Sequence, residues 1–346
     1  MSTGAVAEIR GLARDFALAE LRPHTERWDH DRTLDDDVIA KVAELGFFGM
    51  LLPEDAGGMG FDVLSWTAAL EELAWGEPSV ALLVVHSAVV ADLLSRADAD
   101  GELLSSLASG AVLGCLALAD GDTSVRAARS GDAFTLTGTK RWVTAADRAG
   151  IAVVSADTAD GSALFSSTDI RAGTRADTLG LRPLFIGDAD VGGPAQHIGD
   201  APEEGADAGV LAALGTAAVA VGISAAALDH AVGYAAEREQ FGRAIREFEG
   251  IQHKLAEMAT RTAAARALVE RAALLPDDVA ATAMAKLAAG GCAMFVTTEA
   301  VQIFGGYGYM RDYPVEKLMR DARAMELMNG PSELQRRRIA QSLYSE

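Results

Sequence analysis

Apolar residues recur at helical spacing along the first part of the chain. Val38, Val42 and Leu45 follow one another at i, i+4 and i+7, and a longer apolar run extends from Val80 to Leu94. An apolar residue about every three to four positions gives a helix one face that it can bury. The pattern therefore predicts an N-terminal helical domain over residues 1–112.

The pattern changes to that of short strands in the middle of the chain. Residues 134–137 read FTLT and residues 151–154 read IAVV, and Gly, Asp and Ser turns separate such runs. Long helical stripes return towards the C-terminus, with Pro276 between two of them. The sequence thus predicts a mainly α fold with a small central β-domain. The three predicted domains are an N-terminal helical domain (1–112), a middle β-domain (113–203) and a C-terminal four-helix bundle (204–346).

The charge balance narrows the classes of partner. Fifty acidic and thirty basic residues give a net charge of −20, which repels nucleic acid and anionic membrane surfaces. The first residues lack the apolar segment of a secretion signal, and no stretch approaches about eighteen apolar residues without polar breaks. Cys115 and Cys292 have no metal-ligand spacing, as is typical of a reduced compartment. We expect a cytoplasmic protein that binds no nucleic acid, membrane or metal.

Two long segments carry a resemblance to a known family. Residues 236–261 read AEREQFGRAIREFEGIQHKLAEMATR, and residues 300–323 read AVQIFGGYGYMRDYPVEKLMRDAR. Together with shorter motifs in the same order, they make nearly the whole chain similar to the acyl-CoA dehydrogenases. The resemblance implies the fold of that family, with a helical domain, a β-barrel-like middle domain and a four-helix bundle. It also implies oxidation of an acyl-CoA thioester: a carboxylate takes the α-proton while the β-hydrogen leaves as hydride to FAD.

The resemblance assigns one group of residues to the FAD of a neighbouring subunit. They match the motifs R-x-x-F-G and Q-x-x-G-G, which reach the cofactor across a dimer interface in the family. An arginine fork suits a pyrophosphate, and glycine lets the backbone approach a cofactor closely. An alternative stays open, in which Arg238 and Gly242 only complete the end of a helix. The matched residues are Arg238, Phe241, Gly242, Gln302, Gly305 and Gly306.

A second group belongs, by the resemblance, to the flavin of the same subunit. Trp142 and Thr144 occupy the family's W-I-T positions, where a ring and a hydroxyl flank the isoalloxazine; otherwise they are ordinary core and surface residues of a strand. The family's other flavin strand, A-L-T-E-P-x-A-G-S-D, reads ALADGDT at residues 117–123. The threonine, the Glu-Pro pair and the Gly-Ser turn are missing. We therefore expect this subunit's own flavin site to be eroded.

The positions of the catalytic base also differ from the family. Asn329 stands where the family's I-Y-E-G-T carries the glutamate, and Pro331 follows in place of the threonine. An amide cannot accept a proton at physiological pH. Some relatives carry the glutamate at a position that aligns with Ala212, so neither usual position holds a carboxylate and we assign no catalytic residue. The remaining nearby acids, interpreted as solvated charges, are Glu203, Glu204, Asp207 and Glu326.

Neither His230 nor His253 is predicted to replace the missing catalytic base. His230 has no carboxylate at i+3 or i+4, and His253 has Glu257 at i+4, which predicts an ordinary pair on a helix surface. We interpret both histidines as structural or exposed.

The motifs that serve a neighbour's flavin are kept, whereas those that serve this subunit are eroded. We predict a heterotetramer with a homologous base-bearing subunit, resembling the actinobacterial enzymes for bulky thioesters such as sterol side-chain CoA esters. Electron-transferring flavoprotein is the expected electron acceptor. Two alternatives remain: a self-sufficient homo-oligomeric flavoenzyme with a displaced base, and a flavin-free acyl-CoA-binding scaffold.

Overall fold

A computed structural model describes residues 3–118, 124–131, 133–200 and 206–344. The departures from the family's flavin strand at residues 119–123, and the acids Glu203 and Glu204, lie outside these ranges. Apolar residues form one core through the two helical regions and a second core inside the strands. Along the chain, one helical region precedes the β-domain and a second follows it, as the order of helical and strand patterns predicted.

The N-terminal region is built from helices with defined starts. Asp62 accepts a hydrogen bond from the Ser65 backbone N at 2.8 Å, and Glu77 accepts one from Ser79 N at 3.1 Å, so each caps the helix that follows. Pro78 then occupies the first position of its helix, where no backbone N–H is needed. The helices are α1 (Thr3–Phe16), α2 (Thr25–Asp31), α3 (Asp36–Glu44), α4 (Val63–Gly76), α5 (Pro78–Arg96) and α6 (Gly101–Ala108).

The middle region is an eight-stranded sheet that curves around its own apolar interior, which includes Leu136, Val154 and Phe165. The strands are β1 (Leu113–Ala117), β2 (Arg126–Ser130), β3 (Ala133–Thr144), β4 (Ala149–Thr158), β5 (Gly161–Ser167), β6 (Ile170–Arg175), β7 (Ile186–Val191) and β8 (Pro194–Asp200). Their order is β1-β4-β5-β8-β3-β7-β6, with β2 paired to β3 and β4. The β1–β4 pair is parallel, whereas β3–β7 and β4–β5 are antiparallel.

The C-terminal region is a bundle whose first helix crosses the N-terminal helices closely. A Cβ on Gly222 would lie 2.3 Å from the Glu71 carbonyl oxygen, so only glycine permits this contact. The elements are α7 (Ala206–Glu237), the strands β9 (Glu239–Gln240) and β10 (Arg243–Ala244), and the helices α8 (Glu249–Ala273), α9 (Val279–Phe304), α10 (Pro314–Met325) and α11 (Ser332–Ser342).

Buried ion pairs hold the middle region against the helices. Asp321 accepts a hydrogen bond from the backbone N of Leu181 at 2.6 Å, in the TLGLRP segment. Asp29 pairs with Arg182 at 3.3 Å and with Arg320 at 2.8 Å. These contacts join α2, the segment before β7 and α10, and so fix the β-domain relative to the helical bundle.

The predicted fold class is confirmed. The domain boundaries stay a prediction, although β1 begins at Leu113 and α7 at Ala206. Three helices reach the length and apolar composition of a membrane span, which the sequence analysis did not anticipate: Pro78–Arg96, Gly209–Glu237 and Val279–Tyr309. Their apolar windows are 83%, 94% and 56% buried inside the protein, so the first two direct their apolar side chains to its core.

Candidate active site

A short turn between α10 and α11 carries Asn329. The backbone φ of Asn329 is 51°, a left-handed conformation that asparagine adopts more readily than most residues. Gln335 donates a hydrogen bond to the Gly330 carbonyl at 3.0 Å, and Lys286 donates one to the carbonyl of Met325 at the end of α10. Burial lowers the pKa of the Lys286 ammonium to about 8. Both ends of the turn are therefore fixed by buried side chains.

The Asn329 side chain lies between α5 and α7. Its Nδ2 donates a hydrogen bond to Thr216 Oγ1 at 2.8 Å and lies 3.3 Å from Nε2 of His86. Thr216 in turn donates to the backbone carbonyl of Ala212 at 2.8 Å. The structure thus brings both usual base positions, Asn329 and Ala212, into one cluster with Thr216 as the link.

His86 is a member of this cluster that the sequence analysis missed. Its side chain is 3% exposed, and its Nδ1 has no hydrogen-bond partner among the described residues. Burial lowers the pKa of the imidazole to about 4, so the ring is neutral at physiological pH. One signal was available: His86 interrupts the apolar run from Val80 to Leu94, where a polar side chain needs a partner or a function.

The residues assigned to a neighbour's flavin lie at the opposite end of α7. Phe241 and Gly242 form the two-residue turn between β9 and β10, with φ values of 52° and 80°. This geometry favours glycine or asparagine, so a phenylalanine there is strained. The Phe241 side chain is 94% exposed. Gly242 therefore belongs to a hairpin turn, and the alternative in which it ends a helix is wrong.

The Q-x-x-G-G motif reaches the same region from the end of α9. Gln302 is exposed, and Gly305 has a φ of 59°. A Cβ added to Gly306 would meet no described atom within 4 Å. The Arg238 guanidinium carbon lies 5.6 Å from the ring centroid of Tyr307, the residue after Gly306. The two motifs therefore converge on one surface.

The two residues assigned to this subunit's own flavin differ in exposure. Trp142 is 57% exposed and has a φ of 57°, in a β3 segment where the register with β7 shifts. Thr144, two residues on, is 1% exposed and pairs with Ile186 of β7. The ring of Trp142 is therefore accessible, whereas the Thr144 side chain is buried in the single chain.

Two other candidates for a catalytic base form ordinary ion pairs on helix surfaces. His253 pairs with Glu249 at 3.6 Å and not with the predicted Glu257, which pairs with Arg261 at 2.6 Å. The helix turn gives both neighbours similar access to His253, and Arg261 is the stronger partner for Glu257 because it is always charged. Glu326 pairs with Arg323. Among the described residues, none of these groups is hydrogen-bonded to Asn329.

Comparison with known proteins identifies the family. The sequence profile "Acyl-CoA dehydrogenase, N-terminal domain" matches residues 4–111, and "Acyl-CoA dehydrogenase, C-terminal domain" matches residues 211–344. The probable acyl-CoA dehydrogenase YngJ of Bacillus subtilis is 36% identical over 370 aligned positions, which cover 97% of each chain. The chain belongs to the acyl-CoA dehydrogenase family. The family named from the sequence motifs is thereby confirmed.

Solved structures agree with this assignment. Butyryl-CoA dehydrogenase from Megasphaera elsdenii is 30% identical and superimposes with a TM-score of 0.94 over 100% of this chain and 99% of its own. A glutaryl-CoA dehydrogenase from Mycobacterium smegmatis, solved in complex with FADH2, has the same fold at 23% identity, with a TM-score of 0.92 over 100% and 96%. This acyl-CoA dehydrogenase-type chain is a flavoenzyme and its cofactor is FAD, so a flavin-free scaffold is not supported.

The surface formed by the two motifs fits that cofactor. The space beside Gly306 is open, the Phe241 ring is 94% exposed beside the ring of Phe248, and Arg238 supplies a cation for a pyrophosphate. When bound, FAD accepts the hydride removed from the acyl chain. That Arg238, Phe241, Gln302, Gly305 and Gly306 hold a neighbour's FAD stays a prediction, as do the roles of Trp142 and Thr144.

Proposed function

We propose that this chain is the subunit without a catalytic base in a heteromeric acyl-CoA dehydrogenase. Its partner is a homologous subunit that carries the glutamate, its substrate is an acyl-CoA thioester, and electron-transferring flavoprotein takes the electrons. The observation that carries the proposal is the 2.8 Å hydrogen bond that Asn329 donates to Thr216. It engages the side chain as a hydrogen-bond donor at the position where the reaction needs a proton acceptor.

The residues around Asn329 provide no carboxylate that could take the α-proton in its place. Ala212 has no polar side-chain atom, and the Thr216 hydroxyl already donates to the Ala212 carbonyl. A hydroxyl is too weak a base to take an α-proton without a stronger base beside it. Proton removal is therefore assigned to the partner, whose glutamate serves the FAD that both subunits enclose.

The exposed aromatic surface supports the part of the proposal that concerns the partner. Phe241 is 94% exposed, Tyr309 86%, Tyr307 46% and Met310 50%. Aromatic residues and methionine are enriched at protein interfaces, whereas a cluster of them on a free surface is unusual. This surface suits contact with a second, related subunit and with the FAD bound there.

The proposed substrate is a bulky thioester such as the CoA ester of a sterol side chain. Asn329 and Ala212 are both smaller than the glutamate that relatives carry at one position or the other, which leaves more room for an acyl group. The resemblance to heteromeric actinobacterial enzymes points to the same class of substrate.

Flavin absorbance and subunit stoichiometry test the proposal. The chain is purified alone and, in a second preparation, after coexpression with a homologous subunit encoded beside it. We expect little bound flavin alone and one FAD per heterodimer in the complex, with dehydrogenation only in the complex. Asn329→Gly, which removes the amide but suits the left-handed backbone, should leave that activity within about twofold. A flavin-loaded chain that dehydrogenates acyl-CoA by itself would overturn the proposal.

The position of His86 favours a second candidate, the self-sufficient homo-oligomer with a displaced base. Its Nε2 lies 3.3 Å from Asn329, and Nδ1 is free of partners among the described residues. A ring with a pKa of about 4 is a weak base, which ranks this candidate second. Exchange of the acyl α-proton for deuterium tests it: His86→Gln should abolish exchange with flavin retained, while Glu326→Gln, which removes a carboxylate paired with Arg323, should not.

A further inference from the structure

A cavity lies away from the Asn329 cluster, between the start of α2, the α4–α5 junction, the segment before β7, α7 and the start of α10. Its volume is about 340 Å³, at the lower end of the range for small-molecule sites. His230 of this cavity and Thr216 of the Asn329 cluster are fourteen residues apart on α7, which separates them by about 21 Å along the helix axis. The lining includes Arg22, Trp75, His230, Arg311 and Lys317.

Arg22 is a half-buried cation of this cavity that has no ion-pair partner among the described residues. Its Nε and Nη2 each lie 3.4 Å from the Trp75 carbonyl oxygen, and its guanidinium carbon lies 3.4 Å from the centroid of the Trp75 ring. Among the described residues, no carboxylate oxygen lies within ion-pair distance of Arg22. A half-buried guanidinium stays charged and is costly to leave with only two long contacts to one carbonyl.

Two neighbouring cations, unlike Arg22, are paired with acids. Lys317 pairs with Glu77 at 2.9 Å and with Asp321 at 2.7 Å. Arg14, which lies over the same Trp75 ring, pairs with Glu72. The fold therefore places carboxylates in ion-pair contact with Lys317 and Arg14, whereas Asp229 acts on Arg22 only from beyond ion-pair distance.

His230 adds a second basic group to the cavity. Burial and the positive charge of Arg22 lower the pKa of its imidazole to about 4, against an opposing effect of Asp229. At physiological pH the ring is therefore neutral, and its N–H can donate a hydrogen bond beside the charged Arg22 guanidinium. The lining also holds four acids, Glu26, Asp29, Asp312 and Glu316, of which Asp29 and Glu316 pair with Arg320.

We propose that this cavity binds the phosphate or carboxylate group of a small anionic metabolite, which pairs with Arg22 and accepts a hydrogen bond from His230. The arginine fork matches either acid group in two parallel bonds. Such a ligand supplies Arg22 with an ion-pair partner, and the neutral His230 ring adds a hydrogen-bond donor. Because the cavity joins the N-terminal helices to α7 and α10, the bound anion also stabilises the contact between these regions.

Inorganic phosphate and malonate serve as probes in a titration of the full-length protein, followed by the NMR signals of its histidine rings. Comparison with His230→Gln assigns the His230 signals. We expect these signals to shift saturably with one or both probes and the melting temperature to rise. Whichever probe binds more tightly identifies the acid group of the ligand.

Three variants make the test specific. Arg22→Met keeps an apolar stem over Trp75 but removes the charge, and should weaken binding at least about tenfold. Arg22→Lys keeps the charge without the fork, and should weaken it less. Arg27→Gln is the matched control, because Arg27 lies on α2, pairs with the exposed Asp35 and does not line the cavity; binding should be unchanged. The proposal is overturned if neither probe shifts His230 saturably, or if Arg22→Met and Arg27→Gln weaken binding equally.

Discussion

Replacing Phe241 by alanine should weaken the FAD site without weakening the chain. Phe241 is 94% exposed at the apex of the β9–β10 turn, so its ring contributes little packing to its own subunit. Surface substitutions of this kind change the free energy of unfolding by no more than about 0.5 kcal/mol. The left-handed backbone at this position, with a φ of 52°, is unfavourable for alanine as well, so that strain cancels in the comparison.

The effect on the assembled enzyme should be much larger. If the ring is buried against a neighbour's FAD, its removal loses the transfer free energy of a phenylalanine side chain, about 1.5–3 kcal/mol. Since about 1.4 kcal/mol corresponds to a tenfold change, FAD binding should weaken by roughly 10- to 150-fold. A small change in the free energy of unfolding together with a large change in the free energy of FAD binding is expected for a residue that makes its contacts only across an interface.

The assay compares two measurements on the same protein. Denaturant unfolding of the isolated chain gives its free energy of unfolding, and flavin fluorescence gives the FAD dissociation constant of the assembled enzyme. Leu18→Ala is the control, because Leu18 is an exposed apolar residue of the N-terminal region, at 51% exposure, and should change neither quantity. Unchanged FAD affinity in Phe241→Ala, or a loss of stability above about 1 kcal/mol in the isolated chain, would refute the reasoning.

Three further substitutions test other parts of the structure. Gly306→Ala adds a methyl group with no described atom within 4 Å, so the melting temperature of the chain should not change while FAD affinity falls about tenfold; a lower melting temperature would show that the chain itself needs this glycine. Lys317→Met leaves the buried carboxylates of Glu77 and Asp321 without a counter-charge, so denaturant unfolding should show a loss of about 3–5 kcal/mol, and a loss under about 1 kcal/mol would contradict this. The pKa of His86 is about 4 in the folded protein and about 6.5 in an unfolded chain. Between pH 4 and 6.5 the unfolded state therefore binds more protons than the folded state. The free energy of unfolding should fall as the pH is lowered from 6.5 to 4. His86→Asn should reduce that fall, and identical pH profiles of the two proteins would exclude the effect.

The order of helices and strands could be predicted because it follows from local patterns. The run from Val80 to Leu94 lies within α5, and the segments 134–137 and 151–154 lie within β3 and β4. The sheet topology could not be predicted in this way. The parallel pairing of Leu113–Ala117 with β4 joins segments that are far apart in sequence, and no local pattern specifies which strands become neighbours.

The residues of the candidate site fall into those that a local motif indicates and those that only tertiary packing brings together. Arg238, Phe241 and Gln302 were recognised because each belongs to a contiguous motif with fixed spacing. His86 and Thr216 were not, because they lie on different helices and meet Asn329 only through the packing of α5 against α7. The same holds for the cavity around Arg22, whose lining comes from five separate parts of the chain. Clusters of this kind are tertiary features that spacing along one segment cannot reveal.

The backbone at Asn329 and Phe241 separates two causes of strain. Both residues have a left-handed φ, at 51° and 52°. Asparagine tolerates this conformation, and its side chain is held by Thr216, so the chain itself accounts for Asn329. Phenylalanine tolerates it poorly, and the Phe241 ring is 94% exposed, with an edge-on contact to Phe248 at 6.2 Å between ring centroids. Such an exposed contact offsets little of the strain, and this imbalance supports the proposal that Phe241 serves a neighbouring subunit. The turn at Asn329 is held by contacts within this subunit, whereas the proposed role of the turn at Phe241 lies across a subunit interface.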